Sequence, residues 1–512
     1  MKSPLAADGQ SGGRRRFSDA EHGVTPYVDA LERHAARRPL MFMVPSHAGT
    51  AAGLSEDLAA FSGERSLEMD IPQLVDGIDV GADSPFKQAE ALAADAWQAR
   101  RTWFLANGSS QGNRMAVIAA AGQCVGTDVV AQRSAHSSFI DGMILAGTTP
   151  YFLIPNLDLA RGINHGLTPS ALAAGFQTAV DEGRKPCAAY IISPSYFGAV
   201  SDVAGLADVA HRYGVPLIVD AAWGAHFGFH PALPEFPTVL GADIVVTSTH
   251  KMGGSLGQSA MLHLAEGAHA DVLEPLLDRA YMITQNTSAS SLLLGSLDVA
   301  RRALMTRPDL LADSIASADQ LRAHIRKHTA FTVISDEFPQ HDDIHESDPL
   351  RVSIDVSATG ITGYEVRSLL HREHGILVEI ATVSAIVAFF GPGKPLDTGR
   401  LLSALQGLPT KSHSVATPTM PRVPLPGIRR LSPRDAYFAP SEIVPFASAV
   451  GRTSADTLAA YPPGIPNVTP GEEITSDTID FLRAVAASPI GYVRGALDTG
   501  VNAFRVLRES AE

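Results

Sequence analysis

The chain has 512 residues, 45% of them hydrophobic, so it can bury a sizeable core and is not a disordered chain. Its formal charge of −14 repels phosphate backbones, which disfavours a nucleic-acid partner, and no apolar run reaches the ~18 residues of a membrane span, so no membrane partner is expected. Its two cysteines, Cys124 and Cys187, exclude a disulfide framework and a four-cysteine zinc site, so we expect a cytoplasmic protein without a metal.

The first 83 residues precede the regular part of the sequence pattern. Residues 1–24 carry no signal-peptide apolar region and include three consecutive arginines, which indicates a polar, disordered tail. Residues 25–83 form an N-terminal segment that opens with a helix over Pro26–Arg38 and continues irregularly. A second helix is predicted over Phe86–Ala99.

From residue 84 to residue 308, short apolar strands alternate with helical stretches. The predicted strands are Thr102–Ala106, Val129–Gln132, Thr149–Ile154, Ala188–Ser193, Val215–Asp220 and Ile244–Thr247. The predicted helices between them are Asn113–Gly122, Ser138–Leu145, Pro169–Glu182 and Val203–Tyr213. Strands separated by helices of about 10–15 residues are typical of βαβ units, so this domain is predicted to be α/β with a mostly parallel sheet covered on both faces.

The pattern changes after residue 308. A long helix over Leu310–His328 is followed by mixed strands and helices, and residues 309–425 are predicted to be a small α/β domain that ends in a proline-rich linker. Residues 426–512 are predicted to be a small α+β domain. Within it, the run from Tyr461 to Glu472 contains too many prolines for regular secondary structure.

Ligands of open α/β sheets collect at the carboxyl ends of the strands, so the residues at those ends are the candidates for a site. The first set lies between a strand and a helix, in Asn107–Asn113, and includes Ser109, Ser110 and Gln111. Free backbone N–H groups and hydroxyls at a helix start form an anion cradle. An ordinary capped turn explains the same residues.

Three further strand ends carry side chains with useful chemistry. Asp220 ends an apolar strand, where it is either a structural cap or the partner of a cation on a ligand. Lys251, in Ser248-Thr-His250-Lys251, is either solvated or a lysine whose pKa is lowered by burial, as a Schiff-base lysine requires. His136 follows another strand and is either structural or a ring that stacks on a flat ligand.

Together these side chains have one economical explanation. A phosphate cradle, a carboxylate for a pyridinium nitrogen, a lysine for an aldehyde and a ring to stack are the groups that hold pyridoxal 5′-phosphate. The sequence therefore predicts a site for this cofactor at the edge of the sheet.

Four stretches of the sequence carry a resemblance to a known family. They are Ser248-Thr-His-Lys251, Asp220-Ala-Ala-Trp-Gly-Ala-His226, Gln285-Asn-Thr-Ser-Ala-Ser290 and the C-terminal run Tyr461–Glu472. With them the chain resembles, from about Thr25 to Ile474, the fold-type I ornithine/lysine/arginine decarboxylase family. The resemblance implies an aspartate aminotransferase-like large domain with a smaller C-terminal domain, and decarboxylation of lysine, ornithine or arginine to an amine of polyamine metabolism.

The resemblance also implies a role for each matched residue. Lys251 binds the cofactor aldehyde, Asp220 keeps the pyridine nitrogen protonated and His136 stacks on the ring. The other implied cofactor contacts are Ser109, Ser110, Gln111, Ser195, Trp223, Ser248, His250, Thr287 and Ser288. Thr287 and Ser288 match a loop that crosses a subunit interface, which implies a homodimer or a higher even oligomer with shared active sites. His250 or Lys251 is the expected acid that returns a proton to the substrate.

A carboxylate is expected to face the distal cation of the amino-acid substrate. Glu379 and Glu472 are the candidates, with a structural or surface role as the alternative for both. Arg351 is either a structural ion-pair partner or a substrate contact. Departures from the family's motifs, at Ser46 and Gln73 for example, leave room for transamination or oxidative deamination on the same cofactor, or for a catalytically silent homologue.

Overall fold

The computed structural model describes residues 16–158, 161–394, 396–409, 424–461, 465–487 and 491–509. Residues 1–15 of the predicted tail and 410–423 of the predicted linker lie outside the described residues. In the part of the chain that is described, no helix is long and apolar enough to cross a membrane.

The described residues up to Thr306 form a helical N-terminal segment, followed by alternating strands and helices. The helices are α1 Asp19–His22, α2 Pro26–Ala36, α3 Glu56–Ser62, α4 Glu64–Met69, α5 Pro85–Ala96, α6 Gly108–Gly122, α7 Ser137–Ala146, α8 Pro169–Asp181, α9 Val203–Arg212, α10 Thr249–Met252, α11 Ala270–Thr284 and α12 Ser291–Thr306. The strands are β1 Arg101–Leu105, β2 Asp128–Gln132, β3 Thr149–Leu153, β4 Leu157–Asp158, β5 Ile163–Asn164, β6 Pro186–Ile192, β7 Ala199–Val200, β8 Leu217–Asp220, β9 Ile244–Thr247 and β10 Ala260–Leu264.

The remaining elements form two smaller parts. Between residues 308 and 406 they are α13 Pro308–His328, β11 Thr332–Val333, β12 Glu346–Ser347, β13 Arg351–Asp355, α14 Gly363–His374, β14 Ile380–Ala381, β15 Ala385–Phe389 and α15 Thr398–Gln406. Between residues 433 and 507 they are α16 Pro433–Phe438, β16 Ser441–Pro445, β17 Leu458–Tyr461, β18 Ile465–Val468, α17 Ser476–Ala487, β19 Tyr492–Arg494 and β20 Ala503–Leu507.

The central sheet has seven strands in the order β1-β10-β9-β8-β6-β2-β3, and β10 alone runs antiparallel to its neighbours. The mostly parallel α/β sheet predicted from the sequence is therefore confirmed. Each central strand is buried on both faces: Val129 and Ala131 pack into one apolar core, and Val130 between them packs into the core on the other face. This double burial explains why these strands read as continuous apolar runs.

The two smaller parts are antiparallel. The first has a four-stranded sheet in the order β11-β13-β15-β14, and the second has the sheets β18-β17-β19 and β16-β20 with α17 packed beside them. The prediction that the run from Tyr461 to Glu472 has no regular structure is wrong where the run is described, because β17 and β18 both contribute to it. Pro466 is tolerated in β18 because β18 is an edge strand of its sheet.

The N-terminal region is more ordered than its sequence suggests. The disorder predicted for residues 1–24 is wrong at its C-terminal end, where α1 is closed by a capping box between Ser18 and Glu21. Arg301, fully buried, donates hydrogen bonds to the carbonyl oxygens of His22 and Val24. The segment predicted as irregular also contains α3 and α4, which have only seven and six residues and are too short to show a clear helical period.

A buried ion pair attaches the C-terminal part to the large domain. Arg133 donates to both carboxylate oxygens of Glu472 over 2.9 Å, and to the carbonyl oxygens of Pro466 and Asn467. Arg429 adds a second guanidinium to the same carboxylate at 2.9 Å. Burial alone would raise the pKa of Glu472, but the two guanidinium groups hold it below its ordinary value. We call Arg133, Arg429 and Glu472 the latch.

Replacing Arg133 by Met is expected to lower the free energy of unfolding by about 3 kcal/mol, because the buried carboxylate of Glu472 loses two of its donors. Urea denaturation measures this change. Arg326→Met, which removes an exposed ion pair with Asp336, is the matched control and is expected to cost less than about 1 kcal/mol. Equal costs for the two variants would show that the latch adds no stability.

Candidate active site

A cavity of about 230 Å³ lies at the carboxyl edge of the central sheet, beyond the ends of β2, β6, β8 and β9. The predicted residues that line it are Ser109, Ser110, His136, Ser195, Asp220, Trp223, Ser248, His250 and Lys251. These residues come from separate stretches of the chain, and they meet because parallel strands end at one edge of the sheet.

One end of the cavity is formed by the start of α6. This helix begins at Gly108, so Ser109 and Ser110 lie in its first turn rather than in a preceding loop, and the amides there have no partner inside the helix. Ser248 Oγ donates to Ser109 Oγ over 2.6 Å, which joins the start of α6 to the end of β9. Amides, hydroxyls and the positive end of the helix dipole together favour a phosphate-sized anion.

His250 lies in the same wall. Its Nδ1 donates to the carbonyl oxygen of Ser259 over 2.8 Å, since a carbonyl oxygen only accepts. Burial lowers the pKa of His250 below the ordinary histidine value. The ring is therefore mostly neutral at pH 7, which disfavours His250 as the proton donor in that pH range.

Asp220, at the end of β8, is held by three donors. Its Oδ2 accepts from Tyr190 and from Asn113 Nδ2, both over 2.9 Å, and its Oδ1 accepts from the Ala222 amide over 3.1 Å. Burial, with the carboxylate beside it, raises the pKa of Tyr190 well above its ordinary value, so its hydroxyl remains a donor. The carboxylate is thus fixed in position and only 4% exposed.

His136 is the N-cap residue of α7. Its Nδ1 accepts from the Ser138 amide, which leaves the proton of the neutral ring on Nε2. Burial lowers the pKa of His136, so the neutral form prevails. A neutral ring fixed by its own helix cap suits stacking on a flat ligand.

Lys251 lies on α10, with its amine over the ring of Trp223. Its Nζ is 4.0 Å from the centre of the Trp223 ring, and that ring stacks on Phe389 with centroids 5.0 Å apart. Burial lowers the pKa of Lys251 to about 8, and Arg351 contributes to this lowering while Asp220 opposes it. A substantial fraction of the amine is therefore neutral, which is the form that attacks an aldehyde.

Arg351 has a structural role. It is fully buried and donates to the carbonyl oxygens of Ser195 and Tyr196 through Nη1 and of Trp223 through Nη2. It thus fixes two walls of the cavity from behind. The substrate contact considered for Arg351 is not supported, because its guanidinium lines neither this cavity nor the larger one described below.

Three predicted cofactor contacts lie outside the cavity within this chain. Gln111 is buried and caps the start of its own helix, accepting from the Asn107 amide and donating to Thr284. Its predicted cofactor contact is therefore not supported by its position. Thr287 and Ser288 are exposed on the turn between α11 and α12.

The two candidate carboxylates for the substrate cation lie in different parts of the structure. Glu472 belongs to the latch and lines neither cavity, so its position favours the structural alternative. Glu379 lines a second, larger cavity of about 720 Å³, which shares Tyr196 with the first. Glu379 also favours the charged form of Lys251 electrostatically.

The sequence reasoning missed several residues of the cavity wall. Gln132 ends β2 and Ser134 follows it, Tyr196 follows β6, and Asn164 and His165 come from the short β4–β5 hairpin. The first three lie near strand ends that had been considered for other side chains, so strand-end position was an available signal. The hairpin strands have two residues each, too short for any periodicity to predict.

The residues present fit pyridoxal 5′-phosphate. The observation that tests the fit is the set of groups that line one cavity: helix amides with paired serine hydroxyls, and a fixed carboxylate at the end of β8. A histidine ring and a lysine amine with a pKa of about 8 line the same cavity. These are the donors that the cofactor's phosphate, ring nitrogen, ring face and aldehyde require.

Apoprotein is expected to take up pyridoxal 5′-phosphate faster as the pH rises, with the rate levelling off above a pH of about 8, because the neutral amine of Lys251 is the nucleophile. Stopped-flow growth of the visible absorbance band measures the rate. Lys251→Ala should give no band, whereas Lys87→Ala, far from the cavity, should behave as wild type. A rate that climbs steadily to the ordinary lysine pKa would contradict the lowered value.

Known proteins resemble the chain along most of its length. It is 33% identical to the arginine decarboxylase of Bacillus subtilis (strain 168), covering 95% of this chain and 98% of that protein. It is 25% identical to lysine decarboxylase LdcA of Pseudomonas aeruginosa, covering 90% of this chain and 76% of that protein. The structure of Francisella novicida lysine decarboxylase LdcF superposes with a TM-score of 0.81 at 19% identity, covering 95% and 82% of the two chains, which shows the shared fold.

The family described as Orn/Lys/Arg decarboxylase, major domain, matches residues 25–397, and its C-terminal domain matches residues 430–489. The matched regions contain every residue that lines the cofactor cavity, and they also contain Glu472 of the latch. The fold is that of fold-type I enzymes, as the resemblance implied. The chain therefore belongs to the Orn/Lys/Arg decarboxylase family and is an amino acid decarboxylase whose cofactor is pyridoxal 5′-phosphate.

Proposed function

We propose that this enzyme decarboxylates L-arginine to agmatine and CO2. The observation that carries the proposal is the carboxylate of Glu379, which lines the larger cavity beside the cofactor cavity and acts electrostatically on Lys251. A basic substrate whose α-amino group lies at the cofactor beside Lys251 can extend its distal cation into this adjoining cavity. Relatives that are 32–33% identical are named arginine decarboxylase, whereas those named lysine decarboxylase are 22–25% identical, which favours arginine.

The larger cavity also offers flat surfaces to a planar cation. Tyr461 and Tyr492 stack at its rim with centroids 5.1 Å apart, and Tyr196 separates it from the cofactor cavity. Guanidinium groups stack on aromatic faces more readily than ammonium groups do. Arg367 and His371 line the same cavity, and we assign Glu379 the distal cation because it is the acidic side chain among the described lining residues.

Pyridoxal 5′-phosphate supplies the electron sink for the bond that breaks. Lys251 provides the amine for its carbonyl carbon, and Asp220 provides a fixed negative charge for its ring nitrogen. Contacts to the phosphate are proposed for Ser109, Ser110, Ser248 and His250, ring stacking for His136 and Trp223, and a contact to the ring oxygen for Ser195. Arg351 holds the Trp223 and Ser195 walls, so the ring and the substrate keep one orientation.

We propose that the enzyme is a homodimer or a higher even oligomer in which Thr287 and Ser288 reach the partner's cofactor. Large apolar side chains are exposed beside them, with Met282 at 77% and Ile283 at 73%. The N-terminal segment exposes further ones, Leu40, Phe42, Leu54, Phe61 and Leu74. Apolar surface of this extent is typical of a protein interface. Sedimentation equilibrium tests the proposal, and a monomer would contradict it.

The substrate is tested by incubating the cofactor-loaded protein with arginine, lysine and ornithine together and identifying the products by mass spectrometry. Agmatine is the expected main product, and Lys251→Ala, which removes the amine that binds the cofactor, should give none. Cadaverine as the main product would show that lysine is the substrate instead of arginine, and putrescine would show that ornithine is. Keto acids would contradict decarboxylation.

Replacing Glu379 by Gln is expected to raise KM for arginine about ten-fold to a hundred-fold, the equivalent of one charge-assisted hydrogen bond. The value of kcat should change little, because the distal cation lies away from the bond that breaks. Steady-state kinetics measures both constants. Glu373→Gln, an exposed glutamate of α14 that lines neither cavity, is the control. A fall in kcat at constant KM would contradict the assigned role.

A further inference from the structure

His211, Asp243 and His269 form a cluster outside the cofactor cavity, and no role described so far uses them. One ligand atom from each residue, a ring nitrogen of each histidine and a carboxylate oxygen of Asp243, lies within 4.8 Å of the other two. Imidazole nitrogens and carboxylate oxygens are donors that Zn²⁺ binds in proteins. The cluster therefore has the composition of a zinc site with three protein ligands.

The cluster lies at the amino ends of the parallel strands, the edge of the central sheet that is opposite to the cofactor cavity. Asp243 directly precedes β9, His211 lies in the last turn of α9, and His269 is the N-cap residue of α11. The three residues thus come from three separate stretches of the chain. A ligand bound to them does not contact the cofactor.

Asp243 is held in one orientation by the backbone around it. It is only 5% exposed, its amide donates to the carbonyl oxygen of Leu217 over 3.0 Å, and its carbonyl oxygen accepts from the Ala265 amide over 2.9 Å. Its Oδ2 accepts from the Leu217 amide over 2.8 Å and lies 2.8 Å from Nε2 of His211. Hydrogen bonds of this kind orient a carboxylate for a metal ion.

An ion pair between His211 and Asp243 accounts for two of the three residues and leaves His269 unexplained. In the described part of the chain, the His269 ring makes no hydrogen bond or ion pair, yet its centroid lies 5.7 Å from that of His211, at an interplanar angle of 39°. Two imidazoles on one tetrahedral zinc ion, each bound over ~2.0–2.1 Å, have ring centroids roughly 5 Å apart. The two rings are close to that spacing.

Only exposed side chains have to move for the cluster to close around an ion. Ligand atoms on a tetrahedral zinc ion are about 3.3 Å apart, so a separation of 4.8 Å has to shorten by about 1.5 Å. The side chain of His211 is 39% exposed and His269 is half-buried, so both rings can rotate towards Asp243 without disturbing the core. The carboxylate, which is fixed, can stay where it is.

We propose that His211, Asp243 and His269 bind one Zn²⁺ ion, with water as the fourth ligand. The ion takes the place of the proton shared by His211 and Asp243, and it connects α9, the start of β9 and α11. The expectation of a chain without a metal was drawn from the two cysteines, which bear on thiolate sites and not on this cluster. Because only the folded chain brings the three ligands together, bound zinc stabilises the folded state.

The test adds Zn²⁺ to cofactor-loaded protein in competition with a chromophoric chelator, and measures Tm with and without zinc. Wild type is expected to bind one equivalent with a micromolar Kd and to gain in Tm. His269→Gln should lower the affinity at least ten-fold and abolish the gain, and so should His211→Gln. His324→Gln is the matched control, because His324 also lies beside a second histidine, His328, with ring centroids 5.8 Å apart, but belongs to no three-ligand cluster of the described residues.

His269→Gln is the decisive variant, because its ring makes no hydrogen bond in the described part of the chain, whereas His211→Gln also breaks the ion pair with Asp243. Its Tm without zinc should therefore equal that of wild type. Absence of stoichiometric zinc binding, or binding that His269→Gln leaves unchanged, would overturn the site. Loss of binding in His324→Gln would assign the ion to α13 and would overturn it equally.

Discussion

Removing the amine of Lys251 from water is the constraint on which the rest of the site depends. An ammonium group loses hydration on burial, so its pKa falls to about 8, and this fall persists only if the surrounding walls stay closed. The Trp223 ring covers the amine and is itself stacked on Phe389, and Arg351 ties the backbone behind Trp223 to the loop at Ser195. The fully buried guanidinium of Arg351 therefore holds carbonyl groups in place. A looser wall would admit water, and the pKa of Lys251 would return to the ordinary lysine value.

The same constraint explains why the two smaller parts of the chain are needed. Phe389 and Arg351 belong to the antiparallel sheet of residues 332–389, so that sheet supplies the back of the lysine pocket. The C-terminal part acts through Arg133, which lies three residues before His136 at the end of β2. The strand-end loop that carries His136 is thereby anchored on both sides, by the sheet and by the latch.

Much of this arrangement could be predicted from the sequence, because the central strands are apolar on both faces and their polar end residues share one edge. Asp220, Lys251 and His136 were found in this way. Glu472 could not be assigned from the sequence, since its partner Arg133 is 339 residues distant and charge alone does not distinguish an ion pair from a substrate ligand. His165 was missed because its hairpin has no periodicity. Gln111 caps its own helix and lies outside the cavity, and the sequence does not separate these roles because a helix cap and a phosphate contact use the same residue types.

The latch also determines when, during synthesis of the chain, the active site can be completed. Arg133 belongs to the first third of the chain, and the carboxylate that neutralises it is Glu472, within the last tenth. During synthesis, the large domain and its strand-end residues emerge from the ribosome well before that carboxylate does. Until then the guanidinium of Arg133 has no Glu472 to bind, and the loop before His136 lacks its anchor. Formation of the finished active site thus waits for nearly the whole polypeptide.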